Sequence, residues 1–305
     1  MKRKPIFWGL GMLALVLSLT GCANSSSDNN LSPAGGNSSS SGPSPAAVAA
    51  TLSAQNVLSL DEIRAKAMDA IGNINSYSFA MTLDMNLSEQ NGKFINQVSD
   101  ISGSMDKINK KMRLRMTLTQ QFESSQAKEV KSSAEIYIDG DNMWVKTDGA
   151  GMSKDWQKQA TPAALWEKQD IINQQKKLLE TAGMSLSGLD KVKDTDCYLL
   201  DISPDIEALW ESVKSQIGYQ SASGGPQGID PREIVRDMAV KAWIARDTFL
   251  PLKIQEAMTL TLRPEDLGVQ VTSGNSAMTM KVILDLTASD YNRPVSLEPP
   301  DGLKV

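Results

Sequence analysis

The sequence predicts an α+β fold: a curved antiparallel sheet, an incomplete β-barrel, wrapped around amphipathic helices. Three observations predict it. Between residues 77 and 88, six apolar residues alternate without interruption with small or polar ones, as in a strand with one buried and one wet face. The same alternation returns at 111–119 and at 278–287. Helical periodicity is confined to a few segments before and between the strand groups, so strands and helices come in runs rather than in βαβ alternation.

Taken in order, Ser59-Leu60-Asp61-Glu62 matches a capping box. Leu60, Ile63, Ala67, Ile71 and Ile74 follow at helical spacing. Tyr77, Phe79, Met81, Leu83, Met85 and Leu87 then form the apolar set of the first strand. Met112, Leu114, Met116 and Leu118 alternate with Lys111, Arg113, Arg115, Thr117 and Thr119. Ala134, Ile136 and Ile138 lead into Asp139-Gly140-Asp141-Asn142, and Met143-Trp144-Val145 leads out, which reads as a hairpin. Thr161-Pro162 predicts a cap with proline at the first helical position. Leu165, Trp166, Ile172, Leu178 and Leu179 continue that helix, with Gly183 as its stop.

A short strand over about 196–202 precedes a third helix. Pro204 opens it, Ile206, Leu209, Trp210, Val213 and Ile217 supply its stripe, and Gly218 ends it. Gly218 to Gly228 reads as a loop. Leu250, Leu252, Ile254, Met258, Leu260 and Leu262 share one strand phase, which Glu256 breaks. Met278, Met280, Val282, Leu284 and Leu286 form the last alternating set. A one-sided sheet must cover its apolar face. The helices would sit in its concavity, over a gap lined by Met, Leu, Ile and aromatic side chains.

The N-terminus carries a different kind of signal. Met1-Lys2-Arg3-Lys4 is basic, and Ile6 to Leu19 is an almost unbroken apolar run. This is the layout of a secretory signal, and the run is shorter than the roughly 20 residues a bilayer-spanning helix needs. Leu19-Thr20-Gly21-Cys22 resembles the lipobox of bacterial lipoproteins. The resemblance implies a signal peptide over 1–21, cleavage before Cys22 and diacylglyceryl attachment to its sulfur. The mature protein would be exported and anchored by its acyl chains to the outer face of a bacterial membrane. Residues 22–58 read as the lipidated cysteine and a disordered Ser/Asn/Gly/Pro-rich tether, with an r.m.s. reach of roughly 30–35 Å. The folded part, 59–305, reads as a single domain.

Composition excludes several function classes. The chain has 305 residues and no histidine, which removes Ser-His-Asp and Cys-His catalysis and His-ligated metals. It has two cysteines; with Cys22 acylated, Cys197 reads as a small buried hydrophobe. Without the leader, Lys+Arg falls from 31 to 28 against 36 acids, a net charge of −8. An acidic domain is poorly suited to nucleic acid. Asp139-Gly140-Asp141-Asn142 departs from a calcium loop because Met143 takes the fifth, oxygen-ligand position. No phosphate-binding loop is present in the sequence. We expect no cofactor, no metal and no catalytic residues. Trp144 and Trp156 read as hairpin packing.

Several segments resemble the LolA-like lipoproteins. They are the helix followed by Ser76-Tyr77-Ser78-Phe79-Ala80-Met81-Thr82, the hairpin from Tyr137 to Trp144, and Trp243-Ile244-Ala245-Arg246-Asp247-Thr248-Phe249-Leu250-Pro251-Leu252-Lys253. Ala245 stands where that group often has Asp. The ending Asp290-Tyr291-Asn292-Arg293-Pro294-Val295, followed by Pro299-Pro300, is similar to the close of the LppX and LprG lipoproteins. The resemblance implies a half-barrel around helices that binds lipid, acyl chains or lipoproteins, with a role in their trafficking. The ligand-lining residues would be Phe79, Met81, Leu83, Met85, Met112, Leu114, Met116, Ile136, Ile138, Leu260, Met280, Val282 and Leu284. Two readings of these Met-rich faces stay open: a ligand-accepting cavity, or a filled core in an envelope sensor or protein-interaction module.

Overall fold

Ser59 starts the first helix as predicted. Its hydroxyl accepts a hydrogen bond from the Glu62 backbone N–H at 3.3 Å, and the Glu62 carboxylate accepts from the Ser59 N–H at 2.9 Å. This reciprocal pair satisfies two of the donors that a helix N-terminus leaves open. Helix α1 runs Leu60–Gly72 and buries Ile63, Ala67 and Ile71. A computed structural model describes residues 58–89, 94–122, 129–149, 154–161, 166, 170–207, 231–263, 277–295 and 297–303. The signal peptide, lipobox and tether predicted over 1–57 lie outside the described residues. So do the third predicted helix from residue 208 onward and the loop 218–228.

Among the described residues, eleven strands form one sheet. They are β1 (Ser76–Glu89), β2 (Phe94–Asp106), β3 (Lys111–Phe122), β4 (Val130–Asp139), β5 (Asn142–Asp148), β6 (Gln157–Ala160), β7 (Gly183–Val192), β8 (Thr195–Ser203), β9 (Val235–Ala245), β10 (Pro251–Leu262) and β11 (Met278–Ser289). Further helices among the described residues are α2 (Ile171–Thr181) and the one-turn α3 (Pro231–Ile234). The spatial order is β6-β5-β4-β3-β2-β1-β11-β10-β9-β8-β7, with every pairing antiparallel. The sheet is open: β6 and β7 are its two edges and do not pair with each other. It consists of two meanders that meet where the first strand pairs with the last. Helix α2 lies in the connection that carries the chain from one edge to the other.

The alternating sets all face one way. Tyr77, Phe79, Met81, Leu83 and Met85 are buried, and Val282, Leu284 and Leu286 stand opposite them on β11. Ile283, on the other face of β11, is 57 % exposed. Ile63, Ala67 and Ile71 of α1 and Ile171, Ile172, Leu178 and Leu179 of α2 join the same apolar cluster as the strands. The two helices pack on each other, and the Arg64 guanidinium donates to the Ala182 carbonyl at 3.0 Å.

The closing segment ties the strand ends together. Asn292 accepts from the Asn75 N–H at 2.7 Å and donates from Nδ2 to the Asn73 carbonyl at 3.0 Å. Tyr291 donates to the Pro251 carbonyl. The Trp243 to Lys253 segment is the β9–β10 hairpin, closed by hydrogen bonds between Ala245 and Leu250 and between Phe249 and Ala245.

The structure corrects three expectations, the start and the stop of the second helix and the reading of Glu256, and it adds two strands. The second helix is regular over Ile171–Thr181, Thr161 is not helical, and Gly183 opens β7 rather than ending a helix. The strand predicted at 196–202 is half of a β7–β8 hairpin. β7 escapes pattern reading because a bulge between Leu186 and Gly188, where φ is +151°, shifts its alternation mid-strand. β2 escapes because its inward positions include Gln97, Ser99 and Gly103. Finally, Glu256 does not break the phase of β10: it occupies an inward position between buried Ile254 and Met258.

Candidate functional site

The inward face of the sheet carries the buried apolar cluster, and register fixes what lies on it. One transect across the strands reads Ile202 (β8), Val240 (β9), Glu256 (β10), Leu284 (β11), Leu83 (β1), Ser99 (β2) and Leu118 (β3). On one side it is flanked by Ala242, Ile254, Leu286, Met81, Ile101 and Met116. On the other lie Met238, Met258, Val282, Met85, Gln97 and Gln120.

The residues predicted to line a cavity all occupy this face. Phe79, Met81, Leu83 and Met85 are buried on β1, and Met112 and Leu114 on β3, where Met116 is half-buried. Leu114 pairs with Ile136 and Met112 with Ile138, both buried on β4. Leu260 of β10 faces Met280 of β11, one buried and the other half-buried, and Val282 and Leu284 continue the row. Sequence order separates these positions by up to 205 residues; strand pairing gathers them on one wall.

Polar groups interrupt the wall, and pattern reading missed most of them. Gln97 is 6 % exposed and accepts a hydrogen bond from Gln120 at 2.9 Å. Ser99 is buried beside Leu83 and Leu118. Glu256 is 6 % exposed, and its Oε1 has no hydrogen-bond partner. Burial alone pushes its carboxyl up to about 7, because the charged form loses water and gains no compensating charge. On α2, Gln175 is 1 % exposed, and neither atom of its amide has a partner. Gln175 falls one helical turn from Ile171 and three residues before Leu178, so it shares the face of two residues in the apolar cluster.

Away from the wall, Arg64 Nε, Asn96 Oδ1, Trp156 Nε1 and Thr161 Oγ1 are further buried atoms without a partner, whereas Tyr77 and Trp243 have structural partners. Tyr77 donates to Asp170 at 3.3 Å, and Lys107 lies 3.3 Å from the second oxygen of that carboxylate. Burial first, and the Asp170 charge second, raise the Tyr77 hydroxyl far above its usual range. Trp243 donates from Nε1 to Asp190 at 2.8 Å, and this bond is the main reason the Asp190 carboxyl titrates low. Cys197 is a fully buried free thiol, pushed up by burial. No group of three or more acids or cysteines among the described residues is arranged to hold a metal.

Outside the wall, Trp144 packs on Tyr137 with ring centroids 5.7 Å apart. Lys158 lies over the Trp144 ring at 5.3 Å and Lys146 over the Trp156 ring at 6.0 Å. A depression of about 470 Å³ opens beside these residues. A second, of about 390 Å³, lies on the outer face of the sheet among Thr82, Asp100, Arg115, Thr117, Asp285 and Thr287.

Among solved structures, the chain is similar to the lipoprotein LppX of Mycobacterium tuberculosis, at 15 % identity over 79 % of this chain and 100 % of that one, with a TM-score of 0.39. It is similar to a LolA superfamily protein from Nitrosomonas europaea, at 12 % identity over 80 % of this chain and 96 % of that one, with a TM-score of 0.21. It is also similar to a β-barrel-like DUF1849 protein from Brucella abortus, at 9 % identity over 71 % of this chain and 100 % of that one, with a TM-score of 0.30. No curated protein matches it. A family model spans nearly the whole described region, residues 59–304, and the chain belongs to that family, DUF6612, a family of unknown function.

Proposed function

We propose that this protein is an exported lipoprotein, anchored through Cys22 to the outer face of a bacterial membrane, that binds an apolar ligand between its sheet and its helices. The ligand is a lipid or acyl chain, and the role is binding or trafficking rather than catalysis. The carrying observation is the inner wall itself. Met81, Met85, Met112 and Met258 are buried on it, with Met116, Met238 and Met280 half-buried beside them. Methionine is flexible and polarizable, so such a wall adapts to varied apolar shapes.

The connection between the sheet edges supports a half-barrel. Eleven strands about 4.8 Å apart would make a flat sheet about 48 Å wide. Only 22 residues separate β6 from β7, and 11 of them form α2. At about 1.5 Å per residue for α2 and no more than about 3.4 Å for each of the others, they reach at most roughly 55 Å, with little slack for passing over a face. A sheet that curls brings its edges together and relieves this constraint. It also lets two short helices cover many strands and leaves a concavity.

The test is lipid extraction and mass spectrometry of the purified acylated protein. A molecule with a long apolar moiety, near one per chain and distinct from the covalent anchor, is the expected result. A crystal structure with side chains filling the interior, together with no extracted lipid, would overturn the reading.

A further inference from the structure

A wall built only to close a core has no use for an isolated carboxyl. Glu256 has Val240 and Leu284 directly opposite it on its two neighbouring strands. The same-face diagonal positions are Met238, Ala242, Val282 and Leu286, and along its own strand the inward neighbours are Ile254 and Met258. All eight are apolar, so nothing on the three strands can hydrogen-bond the carboxyl through a side chain. A buried polar group without a partner is costly, and native structures keep few of them. Gln175 on α2 is a second, separate instance, more deeply buried and with both amide atoms unmatched. The two orphaned groups come from the sheet and from a helix, and the apolar residues around both belong to one cluster.

Resting on the lipid-binding reading above, we propose that the interior ligand is an amphiphile whose polar end carries a hydroxyl, and that the Glu256 carboxyl accepts the hydrogen bond from it. A hydroxyl suits this place better than the other common polar groups. An anionic head would be repelled whenever Glu256 ionises. A cation would force a buried ion pair, whose desolvation offsets much of its attraction. A hydroxyl can donate to a carboxylate and both donate to and accept from a carboxylic acid, so it is matched in either state. The apolar chain would run along the methionine-lined rows beside Glu256.

The experiment uses the mature chain from residue 22 onward, with Cys22→Ser so that no covalent acyl chain competes. N-phenyl-1-naphthylamine reports occupancy of the interior by its fluorescence, and two competitors displace it: monoolein, and methyl oleate, which has the same acyl chain and no hydroxyl. The wild-type chain is expected to prefer monoolein by about tenfold, the worth of one good hydrogen bond at a desolvated site. Glu256→Leu should abolish the preference while still binding both, and Glu256→Gln, which retains an acceptor oxygen, should keep most of it. Equal affinity for the two competitors, or a preference that survives Glu256→Leu, overturns the assignment of Glu256 and leaves the lipid-binding reading standing. If neither competitor displaces the dye, or the dye does not bind, the lipid-binding reading fails and this assignment falls with it. Both variants remove a buried charge, so thermal melting should show them folded and at least as stable as the parent.

Discussion

Glu256 on β10 and Leu284 on β11 face each other across the centre of the sheet, a carboxyl with an unpartnered oxygen against a leucine that is 1 % exposed. The pairing makes stability depend on pH in a definite direction. In the unfolded chain the carboxyl titrates near 4.5, and in the folded chain near 7. Between those values the folded state holds the proton more tightly. Stability is therefore highest below about pH 4.5 as far as this group is concerned, and falls as pH rises through 7. The full swing is about 3 kcal/mol. Urea midpoints at pH 5 and pH 8 check it: the wild type should lose stability over that interval, and Glu256→Leu should lose much less. Equal losses in the two proteins would mean that Glu256 is solvated in the folded state.

The inward phase of β1 and β3 can be tested by charge. Met81 and Leu114 are 3 % and 6 % exposed. Met81→Asp or Leu114→Asp buries an unpaired carboxylate and should destabilise by several kcal/mol. Thermal melting followed by circular dichroism gives the answer, and a wild-type-like transition would contradict the register.

Gly103 predicts a steric effect rather than an electrostatic one. A Cβ at this position would lie 2.5 Å from Cδ2 of Leu114 and 2.6 Å from the Arg113 carbonyl oxygen. The leucine can rotate, but the carbonyl belongs to the paired strand. Gly103→Ala should force β2 and β3 apart locally and cost about 1–3 kcal/mol. Adding Leu114→Ala should not rescue it, because the backbone contact remains. Chemical denaturation of the single and double variants distinguishes the two contacts.

Asn292 holds the junction between α1 and β1 with one accepted and one donated hydrogen bond, at a φ of +55°. Asn tolerates that backbone better than most residues. Asn292→Ala should lose about 1–3 kcal/mol from both causes. Asn292→Gly removes the side-chain bonds but relieves the backbone, and should fall between wild type and alanine. If glycine and alanine are equally destabilising in urea titrations, backbone conformation contributes nothing here.

Cys22→Ala tests the anchor independently of the fold. Metabolic labelling with a radioactive fatty acid should mark the wild-type chain and not the variant, and the variant should retain its leader by mass. A labelled, shortened variant would disprove acylation at Cys22.

The residues that could be read directly were those whose own neighbours announce them. The Ser59–Glu62 capping box, the alternation of β1, β3 and β11, and the Asp139–Asn142 hairpin depend on contacts within a few residues, so local pattern specified them. A mainly antiparallel sheet with few helices followed from those elements. Strands with a bulge or a polar inner face, β7 and β2, were invisible, because alternation carries no signal when Gly188 shifts it or when Gln97 and Ser99 occupy the inward side.

Tertiary structure alone decided what shares a wall with what. Nothing in the order of residues says that β1 pairs with β11, so nothing placed Leu83 beside Leu284 or Leu284 beside Glu256. By pattern Glu256 looked like an interruption. Only the pairing of β9, β10 and β11 reveals it as an inward carboxyl ringed by apolar side chains. A local pattern fixes which way a side chain turns from its own strand; the partners that hydrate, neutralise or orphan it come from segments tens to hundreds of residues away, and they meet it only when the chain closes its sheet.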